Sequence, residues 1–218
     1  MGAGLKQMFH TGPGFAKKCV SIIITEILTG FFMALLVEVN LGTDPYAFLN
    51  VAVSDRLGIS FGTWQMIFNL GLFLIVIGLR EFSYIGIGTI ANIFLLGYSC
   101  DFGRWFFHVI LPAQAFKVFP ARGVLFVIGL VTFIPCCGVY MNMHVGVSPF
   151  DAIPMIISSH LPKVPFAVVR MGWDFGMIGL GILFGGIPPV GCVIMAVCLG
   201  PIVGRIGKWM MKTFPALQ

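Results

Sequence analysis

Charged side chains are scarce in this chain: Asp, Glu, Lys and Arg make up 10% of its 218 residues, against roughly 25% in an ordinary soluble domain. A water-soluble fold of this length could not hide a composition that is 58% hydrophobic, so a soluble globular protein is excluded. Other absences narrow the function. The chain has no glycine-rich phosphate loop ending in lysine and no serine or cysteine in a catalytic motif, so no enzyme is expected. His108, His144 and His160 have no mutual spacing that suits a metal ion. The six cysteines, Cys19, Cys100, Cys136, Cys137, Cys192 and Cys198, lie in or beside apolar stretches, without zinc-site or disulfide-framework spacing. They read as small apolar residues, and neither a metal nor a cofactor is expected.

What is present is a series of long hydrophobic runs. Spanning a bilayer takes about 20 apolar residues per helix, which leaves room for six spans and one membrane domain over residues 1–218. The runs place the spans at residues 19–39, 61–79, 82–102, 123–143, 166–184 and 189–206. Lys6, Lys17 and Lys18 precede the first run, but that run is too long and lacks the small-residue cleavage site of a signal peptide. The first helix is therefore expected to remain. With the amino terminus inside, eight basic residues (Lys6, Lys17, Lys18, Arg80, Lys163, Arg205, Lys208, Lys212) fall on the cytoplasmic side. Four (Arg56, Arg104, Lys117, Arg122) fall outside. That bias predicts both termini in the cytoplasm and assigns the net charge of +5 to topology, with no nucleic-acid partner. Residues 105–121 read as an interfacial linker.

The chain also resembles itself. LGTDPY at residues 41–46 returns as VGVSPF at 145–150, aligning Gly42 with Gly146 and Pro45 with Pro149. Phe61, Met66 and Gly71 return as Phe166, Met171 and Gly176, and Gly88 and Gly97 as Gly191 and Gly200. The ordered series, with offsets of 103 to 105, points to a first repeat over 19–104 and a second over 122–206. In each repeat the glycine motif opens a short helix, 45–56 or 149–160, with Asp44 or Ser148 as N-cap and proline at the first helical position. Twelve helical residues reach only about 18 Å, too little to cross roughly 30 Å of hydrocarbon. Such a segment dips into the membrane or lies at its face. Each repeat then has three full spans, and an odd number inverts the second repeat relative to the first. The expected fold is an all-α membrane protein of six transmembrane helices in two inverted three-span repeats, each with a short helix after its first span.

A charge at the centre of a span costs about 2.5–3.5 kcal/mol on insertion scales, so each needs a partner or a purpose. Arg170 and Asp174 lie four apart on one face of the fifth span, and their repeat counterparts are the polar, neutral Gln65 and Asn69. Hydrogen-bonding groups at one depth in both repeats describe a cavity lined from both sides, or an ion pair that neutralises itself between packed helices. Asp44 and Asp151, at the starts of the two short helices, complete the candidate substrate-binding set. Glu26, inside the first span with no basic residue within a helical turn, must find Arg170, another partner or a proton. It is the candidate for proton or ion coupling. Thr89 and Asn92 fit interhelical hydrogen bonding.

LGTDPY after the first span, Gly88 and Thr89 followed by Asn92, LLG at 95–97, Asp101 and the second motif SPFD at 148–151 together resemble the YczE/YyaS/YitT-type bacterial multi-pass membrane proteins. The second half departs from the first in GCVIMAVCLGP, where Cys192 stands in place of Thr89. The resemblance implies a bacterial cytoplasmic membrane and names no substrate. From the residues, the expected function is that of a small-solute transporter or solute-binding membrane component with its site between the repeats. Its expected partners are the lipid bilayer, a small anionic solute and an energising or other membrane protein. The alternative is a non-transporting accessory or regulatory membrane protein.

Overall fold

Water is absent from the hydrocarbon layer, so a single segment can satisfy its own backbone there only as a helix. The computed structural model describes residues 15–143 and 145–213, apart from the side chains of 15, 199–204, 206–208, 210 and 211. Lys6 and His144 lie outside the described residues. All regular structure among those described is helical: α1 Phe15–Val39, α2 Pro45–Leu57, α3 Phe61–Gly78, α4 Ile87–Ala91, α5 Gly97–Ile110, α6 Ala121–Asn142, α7 Pro149–His160, α8 Phe166–Leu183 and α9 Val190–Thr213. A π turn, Asn92–Leu96, joins α4 to α5 without a break.

Four stretches among the described residues are long and apolar enough to cross a membrane: Ala16–Val39, Phe61–Gly78, Ala121–Asn142 and Phe166–Leu183. They match four of the six expected spans, and the chain is a multi-pass membrane protein. The expected third span, 82–102, is displaced. Phe82–Tyr84 form a 3-10 turn, Gly86 is fully extended, and the helix begins at Ile87 and runs on to Ile110. Asp101, Arg104 and His108 reduce the apolar character of its second part. Residues 105–110, expected in the linker, are thus its last turns. Pro112 stops it by forcing Leu111 into an extended conformation. The expected sixth span, 189–206, is part of a longer helix that reaches Thr213.

The two short helices stand where the caps and prolines place them. Asp44 accepts a hydrogen bond from the Ala47 amide at 3.1 Å and Ser148 from the Asp151 amide at 3.2 Å. The first turn of α3 is completed from a distance, with Gly62 N donating to Asp101 of α5 at 2.9 Å.

Helix α1 is the most buried of the four spans and packs on α6 along one side and α5 along the other. It runs antiparallel to α6. Arg122, in the first turn of α6, donates to the carbonyls of Val39 and Asn40 at the end of α1, while Ile22 near the start of α1 packs on Tyr140 and Met143. The guanidinium also complements the negative end of the α1 dipole. α9 covers the other side of α6. Each short helix crosses to the opposite half, α2 against α8 and α7 against α3.

Close backbone contacts fasten the halves together. Gly191 N donates to Leu41 O at 3.2 Å, and Gly88 N donates to Val145 O at 2.8 Å. The second contact is reinforced by Val147 N to Tyr84 O at 3.0 Å and by Thr89 Oγ1 to Val147 O at 2.8 Å. A β-carbon on Gly42 would lie 2.5 Å from Gly191 Cα, and one on Gly146 would lie 2.5 Å from Gly86 N. Gly146 also has φ of +100°, which other residues rarely adopt.

Polarity is arranged inside out. Glu26, Asn50, Gln65, Asn69 and Asp174 are buried, whereas Leu74, Val131, Leu183, Ile187 and Val190 are exposed to the surroundings that a bilayer would fill.

These contacts predict unequal glycine substitutions. Gly146→Ala should lower the melting temperature of the purified protein markedly, by a clash with backbone atoms and a strained φ. Gly71→Ala, with nothing within 4 Å of the new methyl group, should leave it unchanged or raise it slightly. Thermal unfolding in detergent measures both.

Candidate functional site

The amino-terminal turns of α2 and α7 meet inside the helix bundle, where the rings of Tyr46 and Phe150 lie 4.5 Å apart between centroids. Both residues follow the capped prolines directly, so the same local signal that starts each helix brings these rings to its leading end. Beside them is a cavity of about 70 Å³, several times what a single water needs. Its walls come from both halves of the chain: Glu26, Thr29 and Met33 of α1, Asp44, Tyr46, Asn92 and Leu96 from the first half; Phe133, Cys137, Tyr140 and Met141 of α6, Ser148, Phe150, Asp151 and Arg170 from the second.

In the second half, Arg170 of α8 is held by two carboxylates. Its Nε donates to Asp174 Oδ2 at 3.2 Å across one helical turn, and its Nη1 donates to Asp151 Oδ1 of α7. The guanidinium carbon sits 5.2 Å from the Phe150 ring centroid, a cation–π distance. The side chain is thereby held by two carboxylates and one aromatic ring.

The first half answers with neutral groups. Asn69 of α3 donates to the Tyr46 hydroxyl at 2.7 Å and to Asn92 Oδ1 at 3.3 Å. Asn92 in turn donates to both carboxyl oxygens of Glu26, at 3.3 and 3.2 Å. Gln65 Nε2 donates to the backbone carbonyl of Asn92 at 3.3 Å. That carbonyl belongs to the π turn, where the altered helical ladder gives a side chain access to the backbone. A continuous line of contacts therefore runs from Glu26 through Asn92, Asn69 and Tyr46 to Phe150 and Arg170.

All seven residues singled out from the sequence stand in or around this region. Glu26, Asp44, Asp151 and Arg170 line the cavity, while Asp174, Gln65 and Asn69 stand behind its wall. The pairing of Arg170 with Asp174 follows their spacing of four, and Asp151 joins it as a second acceptor. Glu26 hydrogen-bonds Asn92, a residue that sequence reasoning held as a minor candidate, and makes no ion pair with Arg170. Tyr46, Phe133, Tyr140 and Phe150 are not among the site residues expected from the sequence. The repeat motif could have found two of them, because Tyr46 and Phe150 are aligned positions directly after the repeated prolines Pro45 and Pro149; the α6 aromatics carry no such signal. Outside the cavity, Glu38 near the end of α1 receives Arg104 at 2.6 Å and His108 at 2.7 Å. Among the described residues no group of three or more His, Cys, Asp or Glu could hold a metal ion.

Because Asn92 is the donor to a buried carboxyl group, Asn92→Leu should destabilise the protein by about 1–3 kcal/mol. Glu26→Leu made together with it should recover part of that loss, since removing both partners leaves no unpaired polar group. Equilibrium unfolding of the single and double variants, analysed as a cycle, measures the coupling. A double variant less stable than the sum of the singles contradicts it.

Two curated bacterial proteins are similar along most of their length. An uncharacterized protein of Haemophilus influenzae is 22% identical over 187 residues, covering 85% of this chain and 82% of its own. The uncharacterized protein YyaS of Bacillus subtilis is 27% identical over 169 residues, covering 77% of this chain and 81% of its own. No solved structure matches the chain. A family model described as a family of unknown function, DUF6198, matches residues 16–208. With nearly the whole of its helical bundle inside that match, the chain belongs to the DUF6198 family, in accord with its resemblance to the YyaS-type proteins.

Proposed function

We propose that this protein is a small-solute carrier, or the solute-binding membrane component of one, whose site is the cavity between its two halves. The observation that carries this reading is the meeting of two short-helix amino termini, Tyr46 against Phe150, beside a cavity lined from both halves. Discontinuous or short helices whose ends meet near the membrane midplane are a recurrent way to build a solute site in secondary transporters. Charged and polar side chains kept inside a bilayer are costly, and a solute pathway gives them a purpose. No chemical transformation is assigned to the protein; it acts by binding.

In this reading the chain has six spans in two inverted repeats, with α4, the π turn and α5 together as the third span and α9 as the sixth. Two observations support the inversion. The first helices of the halves, α1 and α6, are antiparallel. The bonds Gly88 N to Val145 O and Gly191 N to Leu41 O exchange aligned positions between the halves. The protein sits in a bacterial cytoplasmic membrane with both termini cytoplasmic, and its small size leaves room for a separate energising partner.

Two experiments test these statements. Single cysteines at the exposed positions Arg56 and Ser159, labelled with a membrane-impermeant maleimide in intact cells and in inside-out vesicles, should react from opposite sides of the membrane; labelling of both from one side rules out the inversion. For function, proteoliposomes incubated with a defined mixture of small metabolites should accumulate at least one solute in their lumen. The double variant Arg170→Gln with Asp174→Asn should insert and fold but accumulate none. If wild-type and empty vesicles show identical contents, the carrier reading fails. If the double variant transports normally but assembles poorly, Arg170 and Asp174 are structural and the carrier's site lies elsewhere.

A further inference from the structure

The cavity lining is unbalanced in charge. It contains three carboxyl side chains, Glu26, Asp44 and Asp151, and one guanidinium, Arg170, which Asp151 and the more deeply buried Asp174 already engage. In a low-dielectric interior, carboxyl groups beyond those that one guanidinium balances need protons or another cation. An anionic solute, the expectation drawn from Arg170 in the sequence, would meet this surplus of carboxyl groups and a guanidinium that two carboxylates already engage.

Two groups of the lining have polar atoms that the protein leaves without a partner. Asp44 uses Oδ2 to cap α2, while its Oδ1 is buried without a hydrogen-bond partner. The Tyr140 hydroxyl is likewise buried and unpartnered. Both residues line the cavity and are more than nine-tenths buried, at 6% and 5% exposure. The wall also carries the aromatic rings of Tyr46, Phe133 and Phe150, beside Met33, Leu96 and Met141. The carboxyl groups are not gathered as metal ligands are: among the described residues no group of three or more His, Cys, Asp or Glu could hold a metal ion. Ring faces together with carboxyl oxygens are the surroundings that bind organic ammonium ions, the rings through cation–π attraction and the oxygens through charge-assisted hydrogen bonds. Arg170 over the Phe150 ring already uses the same chemistry within the site.

We infer that the cavity between the two halves binds a small organic ammonium ion, with Asp44 Oδ1 and the Tyr140 hydroxyl as its polar contacts and Tyr46 and Phe133 as aromatic faces. The volume of about 70 Å³ limits the ion, or the head of a longer amine, to a few heavy atoms. This inference rests on the carrier reading and names the class of solute.

The test is thermal unfolding of the purified protein in lipid nanodiscs, titrated with methylammonium or tetramethylammonium chloride. Sodium acetate, sodium phosphate and sodium chloride at matched ionic strength are the comparisons. At least one ammonium salt should stabilise the protein saturably while sodium chloride does not. Asp44→Asn, which keeps a good N-cap, should weaken the apparent affinity about tenfold or more, equivalent to losing one charge-assisted contact. Tyr140→Phe, which removes a single oxygen atom, should weaken it as well and serves if Asp44→Asn does not fold. Saturable stabilisation by acetate or phosphate, without any by ammonium salts, overturns the inference and leaves the carrier reading standing. Saturable stabilisation by sodium chloride alone overturns it in favour of a metal ion. An ammonium response unchanged in both variants shows that the site is elsewhere, and no response to any salt removes this inference alone, since the carrier reading is judged by the vesicle contents.

Discussion

A polar group in the hydrocarbon layer can be satisfied only by the protein itself, and every distinctive feature of this molecule answers to that condition. The backbone answers it by being helical throughout the described residues. The side chains answer it with two linked clusters, Arg170 between Asp151 and Asp174 in one half and Glu26, Asn92, Asn69 and Tyr46 in the other. The result is a bundle with its polar groups inside and its large aliphatic groups outside, the reverse of a soluble domain.

Close packing makes this arrangement possible. Between helices in lipid the association energy comes from van der Waals contact and hydrogen bonds, so backbones that approach closely gain most. The contacts of Gly42 with Gly191 and of Gly146 with Gly86 bring the end of each half's first helix onto the other half. From those points α2 and α7 turn back inward and cross to α8 and α3. The leading ends of the short helices are held against each other, and the cavity is the space that their side chains and α1 and α6 do not fill. Fold and site therefore have one origin. Any rearrangement that opened the cavity would have to part Tyr46 from Phe150 or shift the helices that carry them.

Much of this was legible along the chain because it is written in local terms. A capping Asp or Ser followed by proline starts a helix wherever it occurs, and both short helices begin where that signal puts them. The spacing of four between Arg170 and Asp174 places them on one helical face in any environment. The third helix was less legible. It starts where Gly86 meets Val145–Gly146, and its π turn lies where Gln65 arrives from α3, contacts that leave no mark in residues 82–102.

Hydropathy, helix signals and periodicity, all properties of near neighbours in the chain, by themselves determined that this is a helical membrane protein with short helices after its first and fourth hydrophobic runs. They also identified the ionisable residues that a bilayer would not tolerate without partners. Which partners those residues take was decided only by the tertiary structure. Asp151 reaches Arg170 across 19 positions and Asn92 reaches Glu26 across 66. Contacts at such separations depend on how whole helices cross, and one helix's sequence does not encode the face that another presents to it. The balance of charge in the cavity is the sum of those contacts, so it too emerged only when the helices were assembled.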